Sequence, residues 1–349
     1  MKDPFVVATG QMVTTETLFV RVTLEGGHMG YGEIAPFYDI SGENRESSLT
    51  ITKKLAAYLL GKRADHFRKL ANAFKEMAPD SPAARCGVEM GLLDALCHSL
   101  LIPLWALWGG ADVRPRETDV TIPIMEAEPM LALARLWYNQ GFRIFKMKVG
   151  RDLDHDVQRL EELHRTLPDI TFVVDPNQGF SREQAVFFAK GAERVGATIV
   201  LYEQPLHRGD IEGQAQLRQS LNIPIAADET ARTVEDVRTI HHHQAADYVN
   251  IKIMKSGVIE AMDMVVTAKS LGLRLMIGGM VETRMAMGCS FSLVLGLGGF
   301  DLLDLDTPLL LTEDPLKGGY RYHGPHLEPW ETDGLGISMD WEGTSIQLE

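Results

Sequence analysis

The strongest constraint on the fold of this chain is an alternation of strand-like and helix-like segments that begins near residue 118. Eight short, β-rich runs follow one another along the chain, and a segment long enough for one helix separates each run from the next. The eight runs are TDVTIPI (118–124), RIFKMKV (143–149), ITFVVDPN (170–177), ATIVLYEQP (197–205), IPIAADE (223–229), ADYVNIK (246–252), LRLMIGGM (273–280) and FDLLDLDTP (300–308). Strands separated by single helices run parallel, because a parallel pair requires a crossover connection.

Eight such units are the number needed to close a (β/α)8 TIM-type barrel. A doubly wound open sheet is the competing α/β architecture. The usual phosphate-binding loop of that architecture is missing, since GLGGF (296–300) does not open a helix after a strand. The fold class is therefore predicted as α/β, with a (β/α)8 barrel at its centre.

The residues before the barrel have a different pattern, which predicts a separate α+β domain over residues 1–112. A hairpin is expected to turn at Gly26 and Gly27, and residues 46–108 have helical periodicity. GGADVRPRE (109–117) is a plausible linker. The barrel domain is predicted over 113–312, and the Gly- and Pro-rich segment 313–349 is expected to return to the first domain and complete it.

Composition narrows the class of protein. The net charge of −14 over 349 residues disfavours nucleic acid and anionic membranes as partners. Three cysteines at irregular spacing favour a reducing cytosol over a disulfide framework. The sequence has no signal-peptide pattern and no apolar run of 18 residues. We expect a cytoplasmic protein with a small-molecule substrate, and a homo-oligomer stays open.

Ionisable residues and amides mark nearly every predicted strand end after the first. In a (β/α)8 barrel the chemistry lies at the carboxyl ends of the strands, and buried charges are costly unless they are paired or bound to a metal. These strand ends therefore predict an active site. The residues are Lys146, Lys148, Asp175, Asn177, Glu203, Asp228, Glu229, Asn250, Lys252, Glu282, Asp304 and Asp306.

Asp175, Glu203 and Asp228 end three consecutive strands, so their carboxylates are expected to converge. Three hard oxygen ligands without histidine or thiolate suit Mg²⁺. The competing interpretation, in which each residue is only the N-cap of the next helix, explains one such residue more readily than three in register.

Lys146 and Lys148 share one face of the second strand, because side chains alternate along a strand. Lys148 and Lys252 lie on strands that oppose each other across a ring of eight, so they can approach one bound atom from two sides. This arrangement suits removal of a proton on one face and return of a proton on the other. A second ammonium group lowers a lysine pKa, which gives Lys146 a function beside Lys148.

The motifs KMK, DPN, YEQP, ADE and NIKIMKSG, in this order and at barrel spacing, resemble the muconate-lactonising subgroup of the enolase superfamily. The resemblance covers nearly the whole chain, including a capping domain at the N-terminus. It implies that Lys148 and Lys252 are the acid/base pair, assisted by Lys146. It also implies that Asp175, Glu203 and Asp228 bind one Mg²⁺ per subunit, supported by Asn177 and Glu229.

Within that superfamily, DLDTP (304–308) resembles the Asp-x-Asp motif of the dipeptide epimerases, in which two aspartates hold the α-ammonium group of the substrate. Asp304 and Asp306 share a face and attract a cation, and they would repel the dicarboxylates of related enzymes. Thr121, Gly279 and Val281 align with positions that line the dipeptide site in relatives. The predicted reaction is inversion of the α-carbon of the C-terminal residue of an L,L-dipeptide, through a metal-stabilised enolate.

Two departures from the family pattern bear on this prediction. Family members have another strand upstream of a segment like PFVVATG (4–10), so the capping domain is expected to be short of its first strand. The L-Ala-D/L-Glu enzymes carry an arginine in the first lid, and the corresponding segment ATGQMVTTE (8–16) has none.

The side-chain specificity of the substrate rests on residues near the two lids. Phe37 and Tyr38 of the second lid favour uncharged, largely hydrophobic dipeptides. Arg284 favours an acidic side chain if it points inward. Asp39 and Glu43 are expected to be surface charges, with a cationic substrate as the alternative.

Two alternatives to an epimerase stay open. An o-succinylbenzoate synthase or a muconate-type cycloisomerase needs the same lysines and metal, but it has no use for Asp304 and Asp306 against an ammonium group. A non-catalytic barrel that binds a metal or a carboxylate belongs to another class, and it gives no reason to hold lysines on opposing strands.

Overall fold

A computed structural model describes residues 1–339, and its central feature is a sheet of eight parallel strands in sequential order. Every predicted run contains one strand, so the (β/α)8 fold class is confirmed. Five strands and five α-helices precede the barrel strands, which are β6 to β13. Their bounds are Val120–Ile122, Ile144–Lys148, Thr171–Asp175, Ile199–Glu203, Ile225–Ala227, Tyr248–Ile251, Arg274–Ile277 and Phe300–Leu303.

The first and last strands of this sheet come together, and a hydrogen bond joins the start of β6 to the end of β13. Asp119, directly before β6, donates its backbone N–H to the carbonyl of Leu303 at the end of β13, at 2.9 Å. Apolar side chains fill the interior between the strands and form a cluster of their own. Its buried members are Val173, Leu201, Ala226, Tyr248 and Met276.

Helices cover the outside of the barrel, and their apolar faces pack against the outward-facing residues of the strands. Serine, threonine or aspartate side chains cap several of them, as at Ser181, Thr233 and Asp210. The barrel helices α6 to α14 are Ala127–Asn139, Leu153–Thr166, Arg182–Val195, Ile211–Ser220, Val234–His243, Ile253–Ser256, Val258–Ser270, Arg284–Leu297 and Thr307–Leu310.

The N-terminal elements form an α+β cap. The predicted hairpin is confirmed: β3 and β4 pair antiparallel, and Gly27 occupies the left-handed region at a φ of 81°. The strands β1 to β5 are Phe5–Val7, Gly10–Met12, Leu18–Thr23, Met29–Ile34 and Arg116–Glu117. The helices α1 to α5 are Tyr38–Ser41, Arg45–Leu59, Phe67–Met77, Pro82–Leu100 and Leu104–Leu107, with a short 3₁₀ turn at Ala64–His66.

The cap is joined to the barrel through α4, which is buried along nearly its whole length. Gly30 and Gly32 of β4 lie directly on the backbone of α4, where a Cβ atom would collide with it. Two buried carboxylates of the cap receive N–H groups from the starts of barrel helices, which suits the positive end of a helix dipole. Glu89 accepts from Ile259 at 3.0 Å, and Glu33 accepts from Ala286 at 3.1 Å.

The C-terminal segment contacts this cap at two places. Gly334 donates its N–H to the carbonyl of Ile102 at 2.9 Å, and Leu335 donates to Asp94 of α4 at 2.6 Å. Its strands β14 to β17 are Leu316–Gly318, Tyr320–His323, His326–Pro329 and Ile337–Met339. The domain limits 1–112, 113–312 and 313–349 stay predictions, and residues 340–349 lie outside the described residues.

No helix among residues 1–339 has both the length and the apolar character needed to cross a lipid bilayer.

Candidate active site

The two lysines of β7 point into the barrel while their neighbours point out of it. Lys146 and Lys148 are 1 % and 5 % exposed, and the alternating residues Phe145 and Met147 join the core under the helices. This is the alternation that the sequence predicts. Two ammonium groups are therefore buried on one face of a single strand.

Carboxylates explain how Lys146 tolerates this burial. Its Nζ lies 2.7 Å from Asp304 Oδ2, 2.8 Å from Glu203 Oε2 and 3.2 Å from Asp175 Oδ2. The contact with Glu203 is an ion pair whose angle does not meet hydrogen-bond geometry. Burial lowers the pKa of Lys146, but these carboxylates outweigh burial and raise the pKa well above its ordinary value. Lys146 is consequently a permanent positive charge beside Lys148.

Each of two lysines contacts two of the three predicted metal ligands. Lys146 contacts Asp175 and Glu203, as described above. On the other side, Lys252 Nζ lies 2.6 Å from Asp228 Oδ2 and 3.7 Å from Glu203 Oε1. Glu203 is therefore the member that both lysines share, so the three carboxylates converge as expected.

The two lysines predicted as the acid/base pair occupy opposing strands. Lys148 ends β7, and Lys252 follows β11, four strands further around the ring of eight. Lys148 Nζ donates to Asp175 Oδ2 at 2.6 Å, at one end of the row of carboxylates. Lys252 donates to Asp228 at the other end of this row. The row of acids thus lies between the two ammonium groups.

These ion pairs shift the pKa values of the groups involved. Burial lowers the pKa of Lys252, yet Asp228 and Glu203 outweigh it and raise the pKa above that of an ordinary lysine. Burial raises the pKa of Asp228, but Lys252 and Lys255 outweigh it and hold the pKa far below that of an ordinary carboxyl group. Lys252, like Lys146, is accordingly an ammonium group.

Asn177 and Glu229 flank the carboxylates, as the sequence predicts. Asn177 adopts a left-handed backbone conformation (φ 44°) and donates its N–H to Asp175 Oδ1 at 2.8 Å. Burial, followed by the charges of Asp228 and Asp175, raises the pKa of Glu229 to about 8. Asn177 Oδ1 and Glu229 Oε2 are buried and have no hydrogen-bond partner among the described residues.

Three further residues hold this row of carboxylates in position: Asn250, which the sequence placed at a strand end of the site, and Gln204 and Lys255, to which sequence reasoning gave no function. Lys255 donates to Asp228 Oδ1 at 2.5 Å, and Asn250 donates to Glu203 Oε1 at 2.9 Å. Gln204 accepts the N–H of Asp228 at 2.9 Å. All three lie within the motifs YEQP and NIKIMKSG. Membership in these motifs is the sequence signal that could have identified their positions beside the acids.

A second cluster of carboxylates lies next to the first. Asp119, Asp304 and Asp306 are buried, and one oxygen of each lies within 4.8 Å of the others. Asp306 accepts the N–H of Thr121 at 2.6 Å, which links two predicted substrate-binding residues. Burial, followed by the charge of Asp304, raises the pKa of Asp306 to about 7.

Asp119 is the member of this cluster that sequence reasoning missed. Both of its carboxyl oxygens are buried without a hydrogen-bond partner among the described residues. Burial, followed by the charges of Asp304 and Asp306, raises its pKa well above the ordinary value and favours the protonated form. A single aspartate at the start of a strand carries no sequence signal for such a position.

The glycine-rich segment after β12 closes one side of the site. A Cβ atom at Gly278 would lie 3.1 Å from atoms of Asn250, Lys252 and Asp304, so this glycine lies against the site. A Cβ atom at the predicted Gly279 would instead collide with Met287. Val281 is buried, and its carbonyl lies 3.5 Å from the hydroxyl of Thr15 in the first lid.

The first lid (8–16) lies over the strand ends. A Cβ atom at Gly150 or Gly179, in the loops after β7 and β8, would lie 3.0 or 2.9 Å from Ala8 Cβ. The ring of Phe5, just before this lid, is centred 5.8 Å from Lys148 Nζ. An apolar ring therefore lies near that lysine on the lid side of the site.

Two charged residues that could have set the side-chain specificity form their hydrogen bonds outside the site. Arg284 points to the C-terminal segment, where it donates to Asp314 at 2.7 Å and to the carbonyls of Gly318 and Tyr320 at 2.9 and 2.8 Å. The expectation that Glu43 is a surface charge is wrong. Glu43 is 3 % exposed and accepts the N–H groups of Ala83 and Ala84 at the start of α4.

The chemistry of the donors fits a hard divalent cation. Asp175, Glu203 and Asp228 are at most 2 % exposed, supply only oxygen and already neutralise buried ammonium groups. The unpaired oxygens of Asn177 and Glu229 lie beside them. Mg²⁺ prefers oxygen ligands of this kind and retains further positions for water or substrate.

A capped (β/α)8 barrel with opposing lysines around buried acids defines an acid/base enzyme of the enolase type. The domain model "Enolase C-terminal domain-like" matches residues 129–343, and "Mandelate racemase / muconate lactonizing enzyme, N-terminal domain" matches residues 1–109. The chain therefore belongs to the mandelate racemase and muconate lactonizing enzyme family of the enolase superfamily.

Named relatives and solved structures narrow the comparison. The chain is 38 % identical to the aromatic dipeptide epimerase of Herpetosiphon aurantiacus, over 97 % of this chain and 95 % of the relative. It is 35 % identical to the L-Ala-D/L-Glu epimerase of Thermotoga maritima, over 93 % and 94 %. It superposes with a TM-score of 0.93 on the dipeptide epimerase of Cytophaga hutchinsonii complexed with Mg and D-Ala-L-Val, at 29 % identity and with 97 % and 92 % covered.

Proposed function

We propose that this protein is a Mg²⁺-dependent dipeptide epimerase that inverts the α-carbon of the C-terminal residue of an L,L-dipeptide. The observation that carries the proposal is the row of acids with Lys148 at one end and Lys252 at the other. Relatives at 35–38 % identity over nearly the whole chain are named as dipeptide epimerases, which supports the same reaction class.

Inversion requires one group on each face of the α-carbon. One lysine removes the α-proton from its face, and the ammonium group of the other returns a proton to the opposite face. In the reverse direction the two residues exchange functions. Lys146 remains charged because of its three carboxylate partners, so a fixed positive charge lies on the same strand face as Lys148.

Asp175, Glu203 and Asp228 would hold the metal, with Asn177 and Glu229 in support. Bound there, Mg²⁺ supplies positive charge beside the carboxylate of the substrate, where negative charge develops as the α-proton leaves. The related epimerase of Cytophaga hutchinsonii was solved with Mg and a dipeptide, which supports this cofactor for the present chain.

Asp304 and Asp306 would bind the α-ammonium group of the dipeptide. Asp306 is fixed by the backbone of Thr121, and Asp304 is fixed by Lys146. This anchors the N-terminal residue at the β13 side of the site. A lyase of the same family, acting on a dicarboxylate, would bring a second negative charge against these two acids.

Uncharged, largely hydrophobic dipeptides are the proposed substrates. Phe5 lies near Lys148, the segment between Asp3 and Val20 has no basic residue, and Arg284 is bound to the C-terminal segment. Burial of an apolar substrate side chain contributes about 25 cal/mol per Å². The relative from Herpetosiphon aurantiacus is named for aromatic dipeptides, which agrees with this proposal, whereas the relative from Thermotoga maritima is named for Glu.

A dipeptide library incubated with the protein and Mg²⁺ in D₂O tests the proposal, with mass spectrometry reading deuterium at the α-carbon. We expect exchange in L-Ala-L-Phe and similar dipeptides, and a higher kcat/KM for them than for L-Ala-L-Glu or L-Ala-L-Lys. A library with no exchange in any dipeptide contradicts the reaction. A highest kcat/KM for L-Ala-L-Glu contradicts only the specificity.

A further inference from the structure

A second concave region lies between the cap and the barrel. It has a volume of about 530 Å³ and is formed by the loop before α4, the loops after β9 and β10, and the segment around α11. Neither Lys148 nor Lys252 is among the described residues that line it. We refer to it as the arginine cleft, because Arg85, Arg208 and Arg232 line it from three different segments.

Arg85, in the first turn of α4, is the buried member of this group. It is 5 % exposed, and its Nε is buried without a hydrogen-bond partner among the described residues. A buried guanidinium group is unfavourable unless hydrogen bonds and an opposite charge compensate it. The nearby Glu89 attracts Arg85, but the hydrogen bond of Glu89 goes to Ile259 of α12.

The other two arginines bring further charge to the same space. Arg208 lies in the loop after β9, and Arg232 lies in the loop after β10. Within residues 1–339, no ion pair of 4 Å or less joins Arg85, Arg208 or Arg232 to an acid. Burial and then the charge of Arg208 lower the pKa of Arg232, and they outweigh the attraction of Asp236, Asp80 and Glu43.

Most other charges in the arginine cleft already have partners. Lys75 pairs with Glu260 at 2.6 Å, and Lys255 binds Asp228. Asp236 accepts the backbone N–H groups of Arg232 and Thr233 at the start of α10. Asp80 and Glu229 also line the cleft, so three guanidinium groups without an ion pair among the described residues share it with three carboxylates, those of Asp80, Glu229 and Asp236.

We propose that the arginine cleft is an anion-binding site that takes a phosphate group, free or carried by a small organic molecule. Guanidinium groups bind phosphate through paired N–H donors, and three of them satisfy several phosphate oxygens at once. The volume falls within the roughly 300–1,000 Å³ typical of small-molecule sites and leaves room for an organic moiety beside the phosphate. Such a ligand supplies the partner that Arg85 lacks.

Isothermal titration of the full chain with Mg²⁺ present tests this site with two probes, inorganic phosphate and glycerol 3-phosphate. We expect saturable binding at constant ionic strength. Binding weakens at least about tenfold in Arg85→Gln and in Arg208→Gln, since each loses a charged hydrogen-bond donor. Tighter binding of glycerol 3-phosphate assigns the site to an organic phosphate, and equal binding assigns it to free phosphate.

A matched control keeps the result interpretable. Arg238→Gln removes the same charge from α10, where Arg238 is exposed and pairs with Glu235 at 3.1 Å. It should change the dissociation constant less than about twofold, because an exposed charge outside the site acts only through screened solvent. Arg208 is exposed on a loop, so its variant tests binding even if Arg85→Gln fails to fold.

Several outcomes overturn the proposal. One is the absence of saturable binding of either probe. Another is an equal loss in Arg238→Gln, which indicates general electrostatic attraction. A third is binding that survives in Arg208→Gln and in a folded Arg85→Gln variant, which indicates phosphate held by the metal instead. None of these results depends on the dipeptide reaction.

Discussion

Lys148 Nζ lies 2.6 Å from Asp175 Oδ2, and the two residues are also direct partners in the register between β7 and β8. One residue pair of the sheet therefore fixes the distance between a proposed acid/base group and a proposed metal ligand. Because a shift of one strand by one residue would turn its side chain to the other face and separate the pair, this geometry depends on the barrel and not on a loop.

The proposed ammonium site predicts that Asp304→Asn impairs the use of free dipeptides. The variant loses one negative charge opposite the α-ammonium group, so kcat/KM for L-Ala-L-Phe should fall about 10- to 100-fold. N-acetyl-L-Ala-L-Phe, which has no ammonium group, should be a poor substrate of the wild-type protein. Steady-state kinetics with both compounds measure this. Efficient turnover of the acetylated dipeptide by the wild type would argue against the functions proposed for Asp304 and Asp306.

Asp119 is expected to tolerate loss of its charge. Because burial and two neighbouring carboxylates favour its protonated form, Asp119→Asn replaces one neutral side chain by another of similar shape. The free energy of unfolding should change by less than about 1 kcal/mol, and kcat/KM should change by only a few fold. Asp304→Asn is the comparison in the same cluster. An equally large loss of activity in both variants would show that Asp119 acts as a carboxylate.

The raised pKa of Glu89 predicts that the protein loses stability as pH rises, which is the opposite of the usual effect of a carboxyl group. Burial raises its pKa from 4.5 to about 7, so between these values the folded protein holds a proton that the unfolded chain releases. Stability should therefore fall as pH rises through this window, by about 3 kcal/mol at most. Glu89→Gln should remove this contribution.

Urea unfolding at pH 5 and pH 8 measures the effect of Glu89. The wild type should lose more stability than Glu89→Gln between these two pH values. Glu161→Gln, on an exposed position of α7, is the control and should follow the wild type. Parallel pH profiles of the wild type and Glu89→Gln would contradict the raised pKa.

Arg284→Gln should affect stability without changing side-chain preference. The variant loses charged hydrogen bonds to Asp314 and to two carbonyls, which should cost about 1–3 kcal/mol of unfolding free energy. The ratio of kcat/KM between L-Ala-L-Phe and L-Ala-L-Glu should stay the same. A selective loss of the acidic dipeptide would indicate that Arg284 reaches the substrate.

The sequence predicted the barrel and the row of acids because both follow from short-range patterns. Alternation along each strand fixes which residues face inward, and barrel topology then assembles the strand ends. Lys146, Lys148 and Asp175 lie where this reasoning puts them, and it needs no knowledge of distant contacts.

The residues that the sequence did not reveal depend on contacts across the chain. Glu43 resembles a surface charge of the second lid in the sequence. Its burial depends on the start of α4, which lies 40 residues further along the chain and donates an N–H group to it. Arg85 lies within an ordinary helical pattern and becomes unusual only when the barrel buries it. Gly278 and Gly279 are indistinguishable in sequence, because the direction of a missing Cβ depends on the backbone around it.

The central claim is that Lys148 and Lys252 serve opposite faces of one α-carbon. The decisive measurement is α-proton exchange in D₂O for Lys148→Ala and Lys252→Ala, with L-Ala-L-Phe and L-Ala-D-Phe tested separately and exposed Lys190→Ala as the control. We predict that each lysine variant loses inversion by at least ~10²-fold, that one variant still exchanges only the L,L epimer, and that the other still exchanges only the L,D epimer. Exchange of the same epimer by both variants, or undiminished inversion by either, would contradict the two-lysine account.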